Sequence, residues 1–585
     1  FSHTSSLAGN DTMTFPDFPA EIRAPQGTLA GVSGFQIHFA EHQVFTPGDE
    51  VDVLIVMNPA ALKSNLTSLK PGGILIADKN SFSERNLQKV GYATDPLLDQ
   101  ELQQRFFVIA APIRDLTLNA LQETGLPKAQ AERCKNFFAL GISYWLFERD
   151  LEPSLQWIAA KFASRPELIQ ANQMALRAGY HYADTVELIE HRFSIEKANL
   201  PPGTYRNING ANALAIGLIS AAQLADLPLL YTGYPITPAS DILHALARLR
   251  QFPVLTYQAE DEIAAMGAAI GAAWGGHIAV TASSGPGIAL KMEALGLAIM
   301  TELPVVVINA QRGGPSTGLP TKTEQSDLLQ AIYGRNGESP LVVLAVDSPA
   351  DGFACAMEAV RLALHAMTPV MLLTDGYLIM GSEPWRLPAL ADLKPIPHRQ
   401  PTDPDSIKEF QPYMRDGDSL ARPWIVPGTP GKEHRIGGLE KDAASGNVSY
   451  DPDNHEKMVR IRAQKVQNVQ QVIPPQTVFG PSGGRLLVLG WGSTAGAIHQ
   501  AVAQCLQKGQ SVAHAQLRYL NPMPANMAGL LDSYDQILIP ELNAGQLSVL
   551  IRNHFQKPVI EMHKIKGRPF LITEIVDRIQ EILQQ

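Results

Sequence analysis

Cysteine is scarce in this chain. There are three in 585 residues, Cys134, Cys355 and Cys505, far apart and never in a CxxC pair. That excludes a disulfide framework and a self-contained iron–sulfur or zinc site. It fits reduced thiols in a cytoplasmic protein. Long apolar runs are also missing. The longest, such as LPVVVINA (303–310), have the length of a strand, so no bilayer-spanning segment is expected. No N-terminal stretch couples a basic region to an apolar core, so no signal peptide is expected. There is no excess of positive charge. A formal net charge of -10 gives no reason to expect nucleic acid or an acidic membrane as partner. A full GxGxxG followed by an acid is absent, which weighs against a nicotinamide dehydrogenase. No segment of 20–50 residues repeats, which argues against a solenoid.

What is present reads as a globular α/β chain, 45% hydrophobic and 18% charged, of about three domains. Residues 1–50 have much loop character and one alternating segment, GFQIHFA (34–40). Strand-like runs VDVLIVMN (51–58), GGILIAD (72–78) and RFFVIAAPI (105–113) then alternate with helical stretches, giving an α/β module over 1–200 that closes in KANLPPGTYRNING. A second α/β module covers 201–380, with a helix at 210–225 before LPLLYTG and strands near 253–258, 277–282, 303–309, 341–346 and 369–374. Residues 381–480 are Pro-rich and mostly irregular, ending in a basic helix, NHEKMVRIRAQKVQNV. So long an excursion is expected to serve an interface with a partner or a second copy. A third, smaller α/β module fills 481–585.

Four stretches of the second module carry the residue types of a reaction site, each at the C-terminal end of a strand-like run, where open α/β sheets hold their ligands. The first surrounds Glu262 in TYQAEDEIAAMGAAIGAAWGG. The helix it opens is almost entirely Ala, Gly and Met, and Gly267 and Gly271 leave one face bare for a flat ligand or a neighbouring helix. A carboxylate at that mouth is poorly solvated and suited to sharing a proton with a ring nitrogen. Glu260, Asp261 and Glu262 are also what the dipole of a helix N-terminus favours on its own. The second stretch, TASSGPG (281–287), turns from strand to helix at Ser284 and Gly285 and offers free N–H groups to an anion. Most such turns merely connect two elements. The third, QRGGPSTG, sets Arg312 at a strand end, able to grip a carboxylate or simply to join a surface ion pair. The fourth, Pro235-Ile236-Thr237-Pro238, fixes a hydroxyl-bearing loop. A GWGS turn (490–493) has the glycine pair of a weak phosphate site and falls well short of a dinucleotide fingerprint.

Together, YPITPAS, QAEDEIAAMGAAIGA, TASSGPG, QRGGPSTGLPTKTEQSDLL and VPGTPG resemble the α subunit of 2-oxoacid:ferredoxin oxidoreductases. PAEIRAPQG and GFQIHFA resemble the γ domain of the same family, and the γ–α fusion with its long excursion is most similar to 2-oxoglutarate:ferredoxin oxidoreductase. The resemblance implies open parallel-sheet modules, among them a thiamine-diphosphate pyrimidine-type domain (201–380) and a transketolase C-terminal-like domain (481–585). It implies thiamine diphosphate shared with a β subunit, CoA as co-substrate, and Mg2+ and a [4Fe-4S] cluster on that β subunit, with ferredoxin as acceptor. It implies that Glu262 contacts N1′ of the aminopyrimidine, that Ser284 and Gly285 line the cofactor, and that Tyr234, Thr237, Arg312 and Thr321 hold the 2-oxoacid. The family's γ domain usually opens with GxGGxG, which this sequence lacks, and GGLEKDA (437–443) stands where related chains often read GLEH-acid. The expected activity is oxidative decarboxylation of 2-oxoglutarate to succinyl-CoA, reversible and CO2-fixing in the other direction. Alternatives are the same chemistry on pyruvate or a branched-chain 2-oxoacid, or a non-catalytic scaffold, which would have no use for Glu262.

Overall fold

The apolar runs bounded by turn residues become strands buried on both faces, as parallel sheets require. Val305–Gln311 is buried at all seven positions and Ile278–Ser283 at all six. In a computed structural model of the chain, all residues are described except 20–26, 187–188, 190–191, 401–409 and 585. Most of PAEIRAPQG therefore lies outside the described residues. The chain divides into two units, Phe1–Gly203 and Thr204–Gln585.

In the first unit, β1 (Asp11–Asp17) pairs antiparallel with β2 (Gly34–Ala40). The sequence DTMTFPD hides β1, because threonines and a proline blur its alternation. Asp11 ties the ribbon down, its carboxylate accepting from Val44 N at 2.8 Å and Thr12 N at 3.0 Å. Strands β3 (Val51–Val56), β4 (Leu69–Asp78) and β5 (Phe107–Ala111) form a parallel sheet in that order. Beside it, helices Lys135–Leu146 and Pro166–Thr185 cross where both carry glycine. A Cβ on Gly141 would lie 2.1 Å from Leu176 O, and one on Gly179 would lie 1.9 Å from Phe138 O, so only glycine permits this approach.

The second unit begins with β6 (Tyr205–Asn209), which later pairs antiparallel with β13 (Ser382–Arg386). Between them come β7 (Leu229–Gly233), β8 (Val254–Gln258), β9 (Ile278–Ser283), β10 (Val305–Gln311), β11 (Val342–Ala345) and β12 (Val370–Asp375). The C-terminal part adds β14 (Gly484–Trp491), β15 (Val512–Leu517), β16 (Tyr519–Asn521), β17 (Tyr534–Glu541) and β18 (Ile560–His563). Four of these form a parallel sheet in the order β15-β14-β17-β18. The fifth, β16, leaves its neighbours and joins the central sheet, whose order is β16-β11-β12-β10-β9-β7-β8. It runs antiparallel to β11, and Asn521 Nδ2 donates to Leu341 O. One hydrophobic core spans both sheets and includes Val307, Leu373, Leu487, Trp491 and Leu547.

The Pro-rich excursion is largely anchored on the unit it interrupts. Much of it packs on its own unit, with Tyr413, Trp424 and Arg422 almost fully buried. Trp424 Nε1 donates to Ala273 O at 2.8 Å and Gln400 Nε2 to Gly276 O at 3.0 Å, at the end of helix Glu262–Trp274. Arg422 Nε donates to Thr301 O and Glu302 O, both at 3.2 Å, at the end of helix Gly285–Thr301. Cationic donors suit a helix C-terminus, where carbonyls lack partners. Glu302 closes that helix in a left-handed conformation (φ 52°). Its carboxylate is fully buried between Lys465 and Arg415, whose Nη2 donates at 2.8 Å.

Candidate active site

Strand order places the site. Sequence runs from β7 outward to β8, then returns across β7 to β9. A crevice opens at the C-terminal ends where the winding reverses, and open α/β sheets bind ligands there. The loop after β7 carries Tyr234 and Thr237, the turn after β8 carries Glu262, the turn after β9 carries Ser284 and Gly285, and Arg312 follows β10.

Glu262 is the first residue of its helix, whose N-cap Asp261 accepts from Ala264 N at 2.7 Å. The residue is 8% exposed, and among the described residues the one side chain that donates to it, Lys291, reaches its backbone carbonyl and not its carboxylate. It rests over Gly287, near the start of the neighbouring helix. A Cβ there would come within 2.7 Å of Glu262 Oε1 and 2.0 Å of Ser283 Oγ. Gly287→Ala is therefore expected to cost about 1–3 kcal/mol through overpacking, checked by chemical denaturation.

Lys291 is a residue the sequence did not disclose. It is 1% exposed and donates from Nζ to Glu262 O at 3.0 Å and to Thr281 Oγ1 at 3.1 Å. Burial pushes its ammonium down to about 8, against the pull of Glu262 and Asp261. No helical periodicity marks it, because one lysine in an apolar helix reads as a solvated position.

Arg312 is 6% exposed, and its Nη1 donates to Thr237 O at 2.7 Å. The structure thus brings these two residues together. Burial lowers the guanidinium's proton affinity while Asp327 opposes that. Thr321 lies half-buried on the loop that Gly313 and Leu319 fold back on itself, with Gly313 N donating to Lys322 O at 2.9 Å. Tyr234 is more open, at 40% exposure. Burial raises the Asp327 carboxyl, which accepts from Asn309 Nδ2 at 3.0 Å and faces Gly285.

Several buried polar atoms gather at the ends of β9 and β10 without a partner: Ser283 Oγ, Ser284 Oγ, Asn309 Oδ1 and Arg312 Nε. Buried polar groups are ordinarily hydrogen-bonded, so a cluster of orphans in a crevice marks a polar ligand. Around it the surface is apolar. Leu255, Tyr257 and Ile263 are 59%, 49% and 54% exposed, and a Cβ on Gly267 or Gly271 would meet nothing within 4 Å.

Residues 1–182 match the family described as pyruvate ferredoxin/flavodoxin oxidoreductase, and residues 221–450 match pyruvate flavodoxin/ferredoxin oxidoreductase, thiamine diP-bdg. The 2-oxoglutarate oxidoreductase subunit KorA of Mycobacterium tuberculosis is 52% identical over 98% of this chain and 87% of its own length. The chain belongs to the 2-oxoacid:ferredoxin oxidoreductase family. It is an α subunit of such an oxidoreductase. The α subunit of 2-oxoacid:ferredoxin oxidoreductase 2 from Aeropyrum pernix is 27% identical over 94% of this chain and 91% of its own. Among solved structures, 2-oxoglutarate:ferredoxin oxidoreductase from Magnetococcus marinus, with 2-oxoglutarate, coenzyme A and succinyl-CoA bound, superposes with a TM-score of 0.85. It is 30% identical, and the match covers 100% of this chain and 96% of that one. The α/β fold with several parallel sheets, expected from the oxidoreductase resemblance, is borne out. Among the described residues no helix is long and apolar enough to cross a membrane.

Proposed function

We propose that this chain is the catalytic γ–α subunit of a complex that oxidises 2-oxoglutarate with CoA to succinyl-CoA and CO2, passing two electrons singly to ferredoxin. The observation that carries the reading is Glu262, a carboxylate 8% exposed with no donor from the described residues, at the switch point of a sheet within the matched thiamine domain. The choice of substrate is supported by the relative named for 2-oxoglutarate at 52% identity and by the solved structure that holds 2-oxoglutarate.

The orphaned hydroxyls and the unpartnered carboxylate fit thiamine diphosphate. Bound there, that cofactor supplies the electron sink for decarboxylation. Glu262 would hold N1′ of its aminopyrimidine and share a proton with that nitrogen. Ser284 and Gly285, at the start of helix Gly285–Thr301, would face it with a hydroxyl and free N–H groups. Arg312 would offer Nε to the substrate carboxylate while Nη1 anchors the Thr237 loop, and Tyr234, Thr237 and Thr321 would face the keto oxygen. Fixing the carboxylate in this way aligns the bond to be broken. Mg2+ and a [4Fe-4S] cluster belong to a β subunit, which would cover the apolar face around Ile263, Gly267 and Gly271. The complex would work in the cytoplasm.

Co-purification under anaerobic conditions, then assays with 2-oxoglutarate and with pyruvate, CoA and a viologen dye, tests the reading. A Cys-rich companion and CoA-dependent oxidation of 2-oxoglutarate support it. Faster turnover of pyruvate would move the substrate, and a chain without thiamine or iron would leave a scaffold. Arg312→Ala is expected to lower kcat/KM for the 2-oxoacid by roughly tenfold or more, mostly through KM, and unchanged kinetics would remove Arg312 from the site.

A further inference from the structure

We infer that Lys291 is a positioning residue for Glu262, fixing the first turn of its helix through a charged hydrogen bond to its carbonyl. The inference rests on the role proposed above for Glu262.

The geometry comes first. Helix Glu262–Trp274 is placed at its opening turn by Asp261, which caps it from within, and by Lys291, which reaches it from outside. The ammonium joins the carbonyl of Glu262 to the hydroxyl of Thr281, in the middle of β9. Three elements that build the crevice thus meet on one nitrogen: β9, helix Gly285–Thr301 and helix Glu262–Trp274. Thr232 Oγ1, on β7, adds a further tie to the same helix through Ala265 O at 2.7 Å.

A neutral donor would serve if only the tie mattered. A buried ammonium is costly to desolvate, and Lys291 at 1% exposure has no carboxylate within salt-bridge distance among the described residues. The charged groups that bear on it are Glu262 first and Asp261 second, both from the facing helix, and Thr281 is the polar group it meets on β9. A charged donor holds a backbone carbonyl more firmly than a neutral one, so the carboxylate that the reaction uses starts from a fixed first turn.

The test compares wild type, Lys291→Met, Lys291→Gln and Glu262→Gln in the complex with the companion subunit. Lys291→Gln keeps N–H donors without charge, and covers the case in which Lys291→Met does not fold. The readouts are thiamine diphosphate affinity by calorimetry and the deuterium-exchange rate of the cofactor's thiazolium C2 proton, followed against pH. Both Lys291 variants are expected to bind the cofactor within about threefold of wild type but to exchange the proton about tenfold or more slowly at neutral pH. The wild-type advantage should narrow as pH rises through about 8, where Lys291 loses its charge. A tie that is merely structural would give a ratio independent of pH, and that result overturns the inference. So does wild-type exchange in Lys291→Gln while Glu262→Gln is slow. Wild-type exchange in Glu262→Gln would instead overturn the role of Glu262 itself, and with it the premise for Lys291.

Discussion

Glu262→Gln in the assembled complex is expected to lower kcat with 2-oxoglutarate by roughly 100-fold or more, the scale on which a positioned acid–base group acts. The amide preserves shape and burial, so folding and association with the companion chain should persist. What sets Glu262 apart is the company its side chain keeps. At 8% exposure a carboxylate ordinarily collects donors, and this one has none among the described residues. Its oxygens lie over Gly287 and beside Ser283, in a cradle that a methyl group would fill. Steady-state rates with CoA and a viologen acceptor check the prediction, with the denaturation midpoint as the control for folding. Near wild-type turnover would return Glu262 to the ordinary role of an acid at a helix N-terminus and would favour the scaffold reading.

The second large effect is on stability. Glu302→Gln is expected to cost ~3–5 kcal/mol, because it strands buried cations rather than removing a pair. Lys465 is 1% exposed at its side chain and Glu302 is 0%. Burial by itself would raise the Glu302 carboxyl, but Lys465 and then Arg415 outweigh it and hold the carboxyl down at about 2, below the ordinary 4.5. A carboxyl depressed in the folded state contributes stability above its unfolded value, and that contribution is lost as pH falls from about 4.5 towards 2. Denaturant midpoints against pH should therefore show an acid limb in wild type that is weakened in Glu302→Gln. Lys465→Met should cost less than Glu302→Gln, since Arg415 still faces the carboxylate. Equal midpoints for wild type and Glu302→Gln would show that the network contributes no net stability.

Much of this was legible in the sequence, for identifiable reasons. Strands such as Val305–Gln311 are buried on both faces, so they read as unbroken apolar runs. Ser284 and Arg312 could be picked out because each follows such a run, and Glu262 because it follows the edge strand β8, and strand ends are where open sheets keep their ligands. Lys291 was not legible, since its meaning depends on Thr281 and on a carbonyl 29 residues upstream. How the excursion packs on its own unit was hidden for a related reason. Trp424, Tyr413 and Arg422 are buried without any period, and Lys465 finds Glu302 from 163 residues away. Nothing local announces such pairings. The three residues of β16 were invisible because a strand that short carries no pattern.

β16 also dictates when the sheet that hosts the site can close. Its Asn521 meets Leu341 from 180 residues downstream. During synthesis, β7 to β12 leave the ribosome well before the strand that covers the open edge of β11. Until then that edge offers unpaired N–H and C=O groups to any neighbouring chain. Pairing across so long a separation is slow to form. The nascent chain therefore passes through a stretch of its making in which the central sheet exists in outline with one edge unguarded. Chaperone demand should be greatest there, and it should ease once the first forty residues of the C-terminal sheet have appeared.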